Sequence, residues 1–110
     1  MTMAEITTAV ASGLSTVTVV LDNGCWGAEK AYQRDFYNGR FIGADIVSLP
    51  YDKVAEMAGA RGFAVSEPGA LSEALSAALK DGGPAVIHAK VDPNAMVSFR
   101  RDSFQHRASR

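Results

Sequence analysis

The sequence predicts an α/β fold, a parallel sheet with flanking helices. Two apolar runs, residues 16–21 and 85–91, are typical of buried parallel strands. Segments with helical spacing of apolar residues lie between them. The resulting order of strand, helix, short strand, helix and strand is the pattern of parallel βαβ units with right-handed crossovers, as in Rossmann-like sheets.

The first half of the chain predicts a helix, a strand and a second helix. Ile6 and Val10 share one face at helical spacing, which predicts an amphipathic helix. The run at residues 16–21 predicts a strand that is buried on both faces, because nearly all its residues are apolar or β-branched. Residues 26–38 predict a helix with several aromatic side chains, and Gly39 is its expected cap.

The second half predicts a loop followed by two more helices and two strands. The loop is expected at residues 40–50 and a helix at 51–59. A short strand is expected at 63–65, a helix at 70–80 and a strand at 85–91. A short extended piece is expected at residues 46–49, within the loop. Gly62 is expected to end the helix that precedes the short strand.

Length and composition exclude several classes of protein. A chain of 110 residues makes one domain at most. Eleven Lys and Arg residues against twelve Asp and Glu residues give a net charge of −1, which argues against nucleic acid as a partner. The apolar runs are far shorter than the roughly 20 residues that span a bilayer. A single cysteine, Cys25, fits a reducing compartment, so we expect a cytoplasmic protein without a membrane segment.

The last residues of the chain differ in charge from the rest. Residues 96–110 hold four arginines and one acidic residue, whereas residues 1–95 are acidic overall. We therefore expect an α/β domain over residues 1–95 and an Arg-rich tail over 96–110. Arg100 and Arg101 suit an anion contact, because guanidinium groups bind phosphate bidentately, but a solvated tail or a subunit contact explains them as well.

The turn after the first strand is the most informative stretch for function. In open parallel sheets, ligands bind beyond the carboxyl ends of the strands. Asn23 and Gly24 lie at such an end. A carboxamide oxygen and a nearby main-chain carbonyl are hard ligands that suit Mg²⁺. Spacing alone favours the simpler interpretation that Asn23-Gly24 only turns the chain.

Several short segments of the sequence, taken in their order along the chain, resemble one known family. They are residues 1–9, Leu21-Asp22-Asn23, Trp26-Gly27-Ala28-Glu29-Lys30 and residues 33–41. The chain resembles the cofactor-binding domain of thiamine diphosphate enzymes of the acetolactate synthase type. Within that family, Trp-Gly-Ala-Glu-Lys, Phe-Tyr-Asn-x-Arg-Phe and the late Phe-Arg-Arg-Asp most resemble the sulfoacetaldehyde acetyltransferases.

The resemblance implies a site for thiamine diphosphate and Mg²⁺. It implies that Asn23 gives its side-chain oxygen to the metal and that Cys25 gives its main-chain carbonyl, with Asp22 in place of the first Asn of the family's motif. The family's Gly-Asp-Gly carboxylate would precede Met1, and the pyrimidine-binding domain is also outside the chain. We therefore expect these residues to be the C-terminal portion of a cofactor-binding domain, with only weak cofactor binding of their own.

The resemblance places further residues around the cofactor. They are Gly24, Trp26, Gly27, Ala28 and Tyr32. Glu29 matches a position where relatives carry a catalytic carboxylate that relays a proton, although an exposed helix charge beside Lys30 explains it equally well. Trp26 and Tyr32 either wall the site or belong to the core. Cys25 is not expected to be a nucleophile, and His88 is expected to be a satisfied core or edge histidine.

The implied reaction forms a carbanion or enamine on the cofactor and passes an acetyl unit to phosphate. The implied assembly is a homodimer or homotetramer that acts on a small-molecule substrate. Acetolactate synthase-like or 2-oxo acid decarboxylase chemistry is the neighbouring alternative. A truncated α/β module without activity is another, and an anion or RNA contact by the Arg-rich tail is a third.

Overall fold

The computed structural model describes residues 3–98. The helices and strands are, in chain order, α1 Glu5–Ala11, β1 Val17–Asp22, α2 Gly27–Phe36, α3 Tyr51–Met57, β2 Arg61–Val65, α4 Pro68–Asp81 and β3 Ala85–Lys90. The chain forms two compact units. Among the described residues, the first comprises residues 3–22 together with Ser48–Val91, and the second comprises Asn23–Val47 together with residues 92–98. Within the described part, no helix has the length and apolar character needed to cross a membrane.

The first unit is built on a parallel sheet with the strand order β1-β3-β2. Val17 of β1 and Arg61 of β2 both lie opposite Ala85, so all three strands start at one end of the sheet. Parallel neighbours require crossover connections, and the helices supply them. The predicted α/β class with a parallel sheet and flanking helices is therefore confirmed.

β3 is the central strand and the most buried element. Successive side chains of a strand point to opposite faces of the sheet, and here both faces are covered. On one face Ile87 packs with Ala74 and Ala78 of α4. On the other face Val86 packs with Ala55 of α3. The prediction of a buried final strand is confirmed.

β1 is more exposed than the sequence predicts. Val19 is 39% exposed and Leu21 is 66% exposed, so the expectation of a strand buried on both faces is wrong. The physical reason is position, since β3 is the neighbour with which β1 pairs in the described part of the sheet. An apolar run predicts a strand well but does not distinguish a central strand from an edge strand.

The connection from α3 to β2 also differs from the prediction. Gly62 does not end the helix, because α3 stops at Met57 and the chain turns at Gly59, whose φ is +85°. Gly62 lies inside β2. A Cβ atom at Gly62 would collide with the main-chain carbonyl of Asp52. This glycine therefore permits the close approach of α3 to the strand.

The second unit contains α2 and the loop that follows it. Gly39, with φ +69°, donates its N–H to the carbonyl of Gln33 at 3.2 Å and caps the helix as predicted. The Gln33 side chain then pins the loop, because its carboxamide exchanges two hydrogen bonds of 2.9 Å with the main chain of Ile42. Residues 46–49, where a short extended piece is expected, form no strand in the described structure. The loop instead makes one isolated antiparallel bridge, between Asp45 and Cys25.

Candidate functional site

The β1–α2 turn, residues 23–26, is closed by its own asparagine. The side-chain Oδ1 of Asn23 accepts a hydrogen bond from the main-chain N–H of Cys25 at 3.2 Å. Between them Gly24 has φ +67°, a left-handed conformation that glycine adopts without steric cost. This is the Asx-turn chemistry expected for Asn-Gly. The chain therefore turns where the sequence predicts.

The main-chain carbonyl of Cys25 lies on the same side of the turn as the Asn23 carboxamide. Two hydrogen bonds flank Cys25 in the bridge to the loop: Trp26 N–H donates to Ala44 at 2.7 Å, and Ile46 N–H donates to Gly24 at 3.0 Å. In an extended segment the polar groups of successive residues alternate in direction. The N–H and C=O of Cys25 therefore both face away from the loop, and Asn23 Oδ1 accepts the N–H.

Gly27 begins α2 and allows the turn to pack closely. A Cβ atom at this position would lie 2.7 Å from the Asn23 carboxamide nitrogen, so any larger residue would require the Asn23 side chain to shift. The N-terminus of α2 follows at once, and its free N–H groups carry partial positive charge. Ala28 lies exposed in the first turn of this helix. Glycine at this point thus lets the Asn23 carboxamide lie against the start of α2, a helix end that favours anions.

The donor set of the turn fits a hard cation such as Mg²⁺. Asn23 offers a carboxamide oxygen and Cys25 a main-chain oxygen, both of the kind that Mg²⁺ prefers. Both ligands are neutral, whereas Mg²⁺ usually takes one or two carboxylates together with substrate phosphates. Across residues 3–98, no three His, Cys, Asp or Glu side chains are grouped as a metal site. The turn therefore supplies part of a ligand set.

Glu29 is exposed on the first turn of α2. An acidic side chain at this end of a helix is stabilised by the helix dipole. The neighbouring Lys30 is paired elsewhere, with its ammonium 2.5 Å from Asp45. The hydrogen bond to Asp45 raises the pKa of Lys30 above its ordinary value. Glu29 is thus presented outward from the first turn of α2.

The two aromatic residues predicted near the site have different surroundings. Trp26 is 61% exposed at the start of α2. Tyr32 is half-buried, with its ring centroid 4.7 Å from that of Phe36 and 5.7 Å from that of Tyr37. Tyr32 therefore belongs to an aromatic cluster on its own helix. Trp26 offers a large apolar surface beside the turn.

A buried histidine in the first unit lies at the centre of a second cluster of polar and ionisable side chains. His88 is 5% exposed, and its Nε2 lies 2.8 Å from Asp22 Oδ2. Its Nδ1 lies 3.4 Å from Asp52 Oδ1, and Asp52 is 6% exposed. Ser48 donates its hydroxyl to the second oxygen of Asp22 at 2.5 Å. The ring of Tyr51 meets the imidazole edge to face at a centroid distance of 5.1 Å.

Sequence reasoning predicted part of this cluster and missed the rest. His88 is a satisfied buried histidine, as expected. Sequence reasoning does not predict Ser48, a loop serine, or Asp52, because a charged residue in the first turn of a helix is normally exposed. The available signal was the phase of α3, which places Asp52 three residues before the buried Ala55, on the same face. Arg100 and Arg101 lie outside the described residues.

The fold and the turn together are those of a cofactor-binding domain, and comparison with known proteins identifies its family. Residues 1–89 match the family described as "Thiamine pyrophosphate enzyme, C-terminal TPP binding domain". The chain belongs to this family, and the resemblance read from its motifs is confirmed. Thiamine pyrophosphate is another name for thiamine diphosphate.

Individual relatives include enzymes of two named activities. The chain is 36% identical over 107 residues to the sulfoacetaldehyde acetyltransferase of Alcaligenes xylosoxydans xylosoxydans, which covers 94% of this chain and 18% of the relative. The enzyme of the same name from Castellaniella defragrans has the same identity and coverage. The acetolactate synthase large subunit of Mycobacterium tuberculosis is 33% identical over 99 residues, covering 90% of this chain and 18% of the relative. The chain thus spans about a fifth of the length of these relatives.

Proposed function

We propose that this chain is the part of a thiamine diphosphate- and Mg²⁺-dependent acyltransferase that holds the metal and the cofactor's diphosphate. The observation that carries the proposal is the β1–α2 turn. Asn23 Oδ1 and the Cys25 carbonyl face one side of it, immediately before the N-terminus of α2. Membership of the thiamine diphosphate family supports the identity of the ligand.

In this proposal each residue of the turn has a distinct task. Asn23 and Cys25 ligate the metal through oxygen, and the metal neutralises the diphosphate. Gly24 supplies the left-handed conformation of the turn, and Gly27 leaves room for the Asn23 carboxamide beside the start of the helix. The N–H groups at the start of α2 stabilise negative charge, as helix N-termini do for phosphates. Two neutral oxygens and a helix end thus receive a ligand that brings its own negative charge.

The first turns of α2 face the reacting part of the cofactor in the proposal. When bound, thiamine diphosphate supplies a nucleophilic carbon to which the donor's acyl unit attaches. Glu29 relays a proton to the substrate through its carboxyl group. Trp26, Ala28 and Tyr32 line the surrounding pocket and limit the access of water. This assignment follows the family resemblance and the outward position of Glu29.

The finer parts of the proposal concern substrate and assembly. We assign acetyl transfer in the manner of the sulfoacetaldehyde acetyltransferases, because these relatives reach 36% identity. Phosphate is the proposed acceptor, with Arg100 and Arg101 of the tail 96–110 as its contacts and residues 1–95 as part of the cofactor domain. The proposed complete enzyme is a cytoplasmic homodimer or homotetramer. Acetolactate synthase chemistry is the second candidate, since relatives with that name reach 33% identity.

The experiment that tests the binding role is an amide NMR titration of the 110-residue chain. Thiamine diphosphate with Mg²⁺ is added up to about 10 mM. This concentration detects binding with a Kd near about 1 mM, which corresponds to a binding free energy of about −4 kcal/mol. We expect the largest shifts in residues 23–28, and Asn23→Ala should abolish them because it removes a ligand and the Asx bond together. Asn94→Ala is the matched control, since it removes an exposed asparagine outside the turn.

Two results would contradict the proposal. One is a set of shifts centred away from residues 23–28. The other is a response in Asn23→Ala equal to that of the unmodified chain. The donor and acceptor are tested separately, by sequencing the DNA upstream of the Met1 codon. An in-frame Gly-Asp-Gly preceded by several hundred codons would permit assay of the complete enzyme with sulfoacetaldehyde and phosphate, while an in-frame stop would favour the non-catalytic module.

A further inference from the structure

Asp22, the last residue of β1, is held at three separate atoms. Its main-chain carbonyl accepts the N–H of Val91 at 2.9 Å, the final ladder bond between β1 and β3. Its side-chain Oδ1 accepts the Ser48 hydroxyl at 2.5 Å. Its Oδ2 lies 2.8 Å from His88 Nε2. Sheet formation requires only the main-chain hydrogen bond. The two side-chain contacts of Asp22 therefore hold this residue more firmly than the sheet itself needs.

His88 is oriented by a second carboxylate on its other side. Asp52 Oδ1 lies 3.4 Å from His88 Nδ1, and Lys53 lies 3.9 Å from the other oxygen of Asp52. A carboxylate only accepts hydrogen bonds, so each ring nitrogen that faces one makes a favourable contact when it carries a hydrogen. The ring is thereby fixed in the orientation that directs Nε2 to Asp22.

We propose that His88 is a positioning residue for the β1–α2 turn. Asp22 and Asn23 share a peptide bond, so the torsion angles of Asp22 limit the conformations open to Asn23. By holding the Asp22 carboxylate, His88 restricts those torsion angles and thereby favours the closed Asx turn of Asn23. His88 acts through Asp22 and touches no ligand. The identity of what the turn binds rests on the proposed function, whereas the positioning itself does not.

The amide of Cys25 reports this positioning directly. Its N–H donates to Asn23 Oδ1, so its hydrogen exchange slows only when the turn is closed. The amide of Ala85 is the internal reference, because it donates to Thr16 at 2.8 Å, at the opposite end of the β1–β3 pair. The ratio of the two exchange rates separates opening of the turn from unfolding of the sheet.

The test compares these rates in four variants of the ligand-free chain. His88→Ala and His88→Asn remove the bond to Asp22, since the asparagine side chain is too short to span the distance, and we expect Cys25 to exchange about tenfold faster relative to Ala85. His88→Gln retains a donor of sufficient length and should stay within about twofold of the unmodified ratio. Ile87→Val weakens the core beside His88 without removing a polar contact, and should leave the ratio unchanged.

Each outcome decides the proposal, and none depends on cofactor binding. A Cys25 to Ala85 ratio that stays constant in His88→Ala and His88→Asn would overturn it, as would an equal change in Ile87→Val. If His88→Ala does not fold, the comparison of His88→Asn with His88→Gln carries the test. If no His88 variant folds, the residue is structural and the proposal is overturned. Failure of the cofactor titration with a positive exchange result would remove the proposed ligand and leave the positioning role intact.

Discussion

Asn23 and Gly24 were predictable from the sequence because their chemistry is local. An asparagine followed by glycine closes an Asx turn with its own main chain, and the structure contains that turn. Asp52 was not predictable in the same way, because its burial against His88 depends on how α3 packs on β3. Side chains whose partner is within three residues are therefore recoverable from sequence, while those paired across elements require the packing.

Gly62 makes a residue-scale prediction. Gly62→Ala should lower the free energy of unfolding by about 1–3 kcal/mol, because the new methyl group must displace α3 from β2. Gly69→Ala is the matched control, since nothing lies near its Cβ position in α4 and alanine favours helix by up to about 1 kcal/mol. Urea unfolding followed by circular dichroism measures both. Equal stabilities for the two variants would contradict the close approach of Asp52 to this glycine.

At the scale of elements, burial pattern separates what the sequence could predict from what it could not. The helices and strands occur in the predicted order, with ends that move by a few residues. β1 and β3 are both apolar runs, yet β3 is buried along nearly its whole length, whereas the residues of β1 are either exposed or only partly buried. Hydrophobicity identifies a strand, whereas its place in the sheet depends on which other strands are present to pair with it.

The exposed strand β1 predicts self-association of the isolated chain. An apolar edge strand without a protecting lysine or proline is a template for pairing with another chain. Leu21→Lys should weaken this association about tenfold, equivalent to about 1.4 kcal/mol, as measured by sedimentation equilibrium. Leu79→Lys is the matched control, because Leu79 is 65% exposed and Leu21 is 66% exposed, but Leu79 lies on a helix. Equal effects of the two substitutions would assign the association to general hydrophobicity instead of the strand edge.

At the scale of the whole molecule, the core is small and incomplete. Its buried members are mostly alanines, with Ile87 as the largest fully buried side chain among the described residues. An apolar groove of about 590 Å³ lies open in the first unit, lined by side chains such as Ile6, Val20 and Tyr51. A chain with these properties has little apolar burial to offset its conformational entropy.

Stability of the isolated chain follows from this small core. We expect a low thermal midpoint that rises with protein concentration, because association covers apolar surface that the monomer leaves exposed. Differential scanning calorimetry at two concentrations, about tenfold apart, measures the effect. Cooperative melting of a monomer at a midpoint independent of concentration would contradict this expectation. Leu21→Lys, which blocks the strand edge, should reduce the concentration dependence.

The central claim is that the chain carries part of a thiamine diphosphate site. Isothermal titration calorimetry with thiamine diphosphate and Mg²⁺ tests it most directly, because affinity measures how complete the ligand set is. Two neutral oxygens without a carboxylate predict a Kd near or weaker than about 1 mM for the 110-residue chain. Submicromolar binding would contradict the claim, since it would mean that these residues hold a complete site.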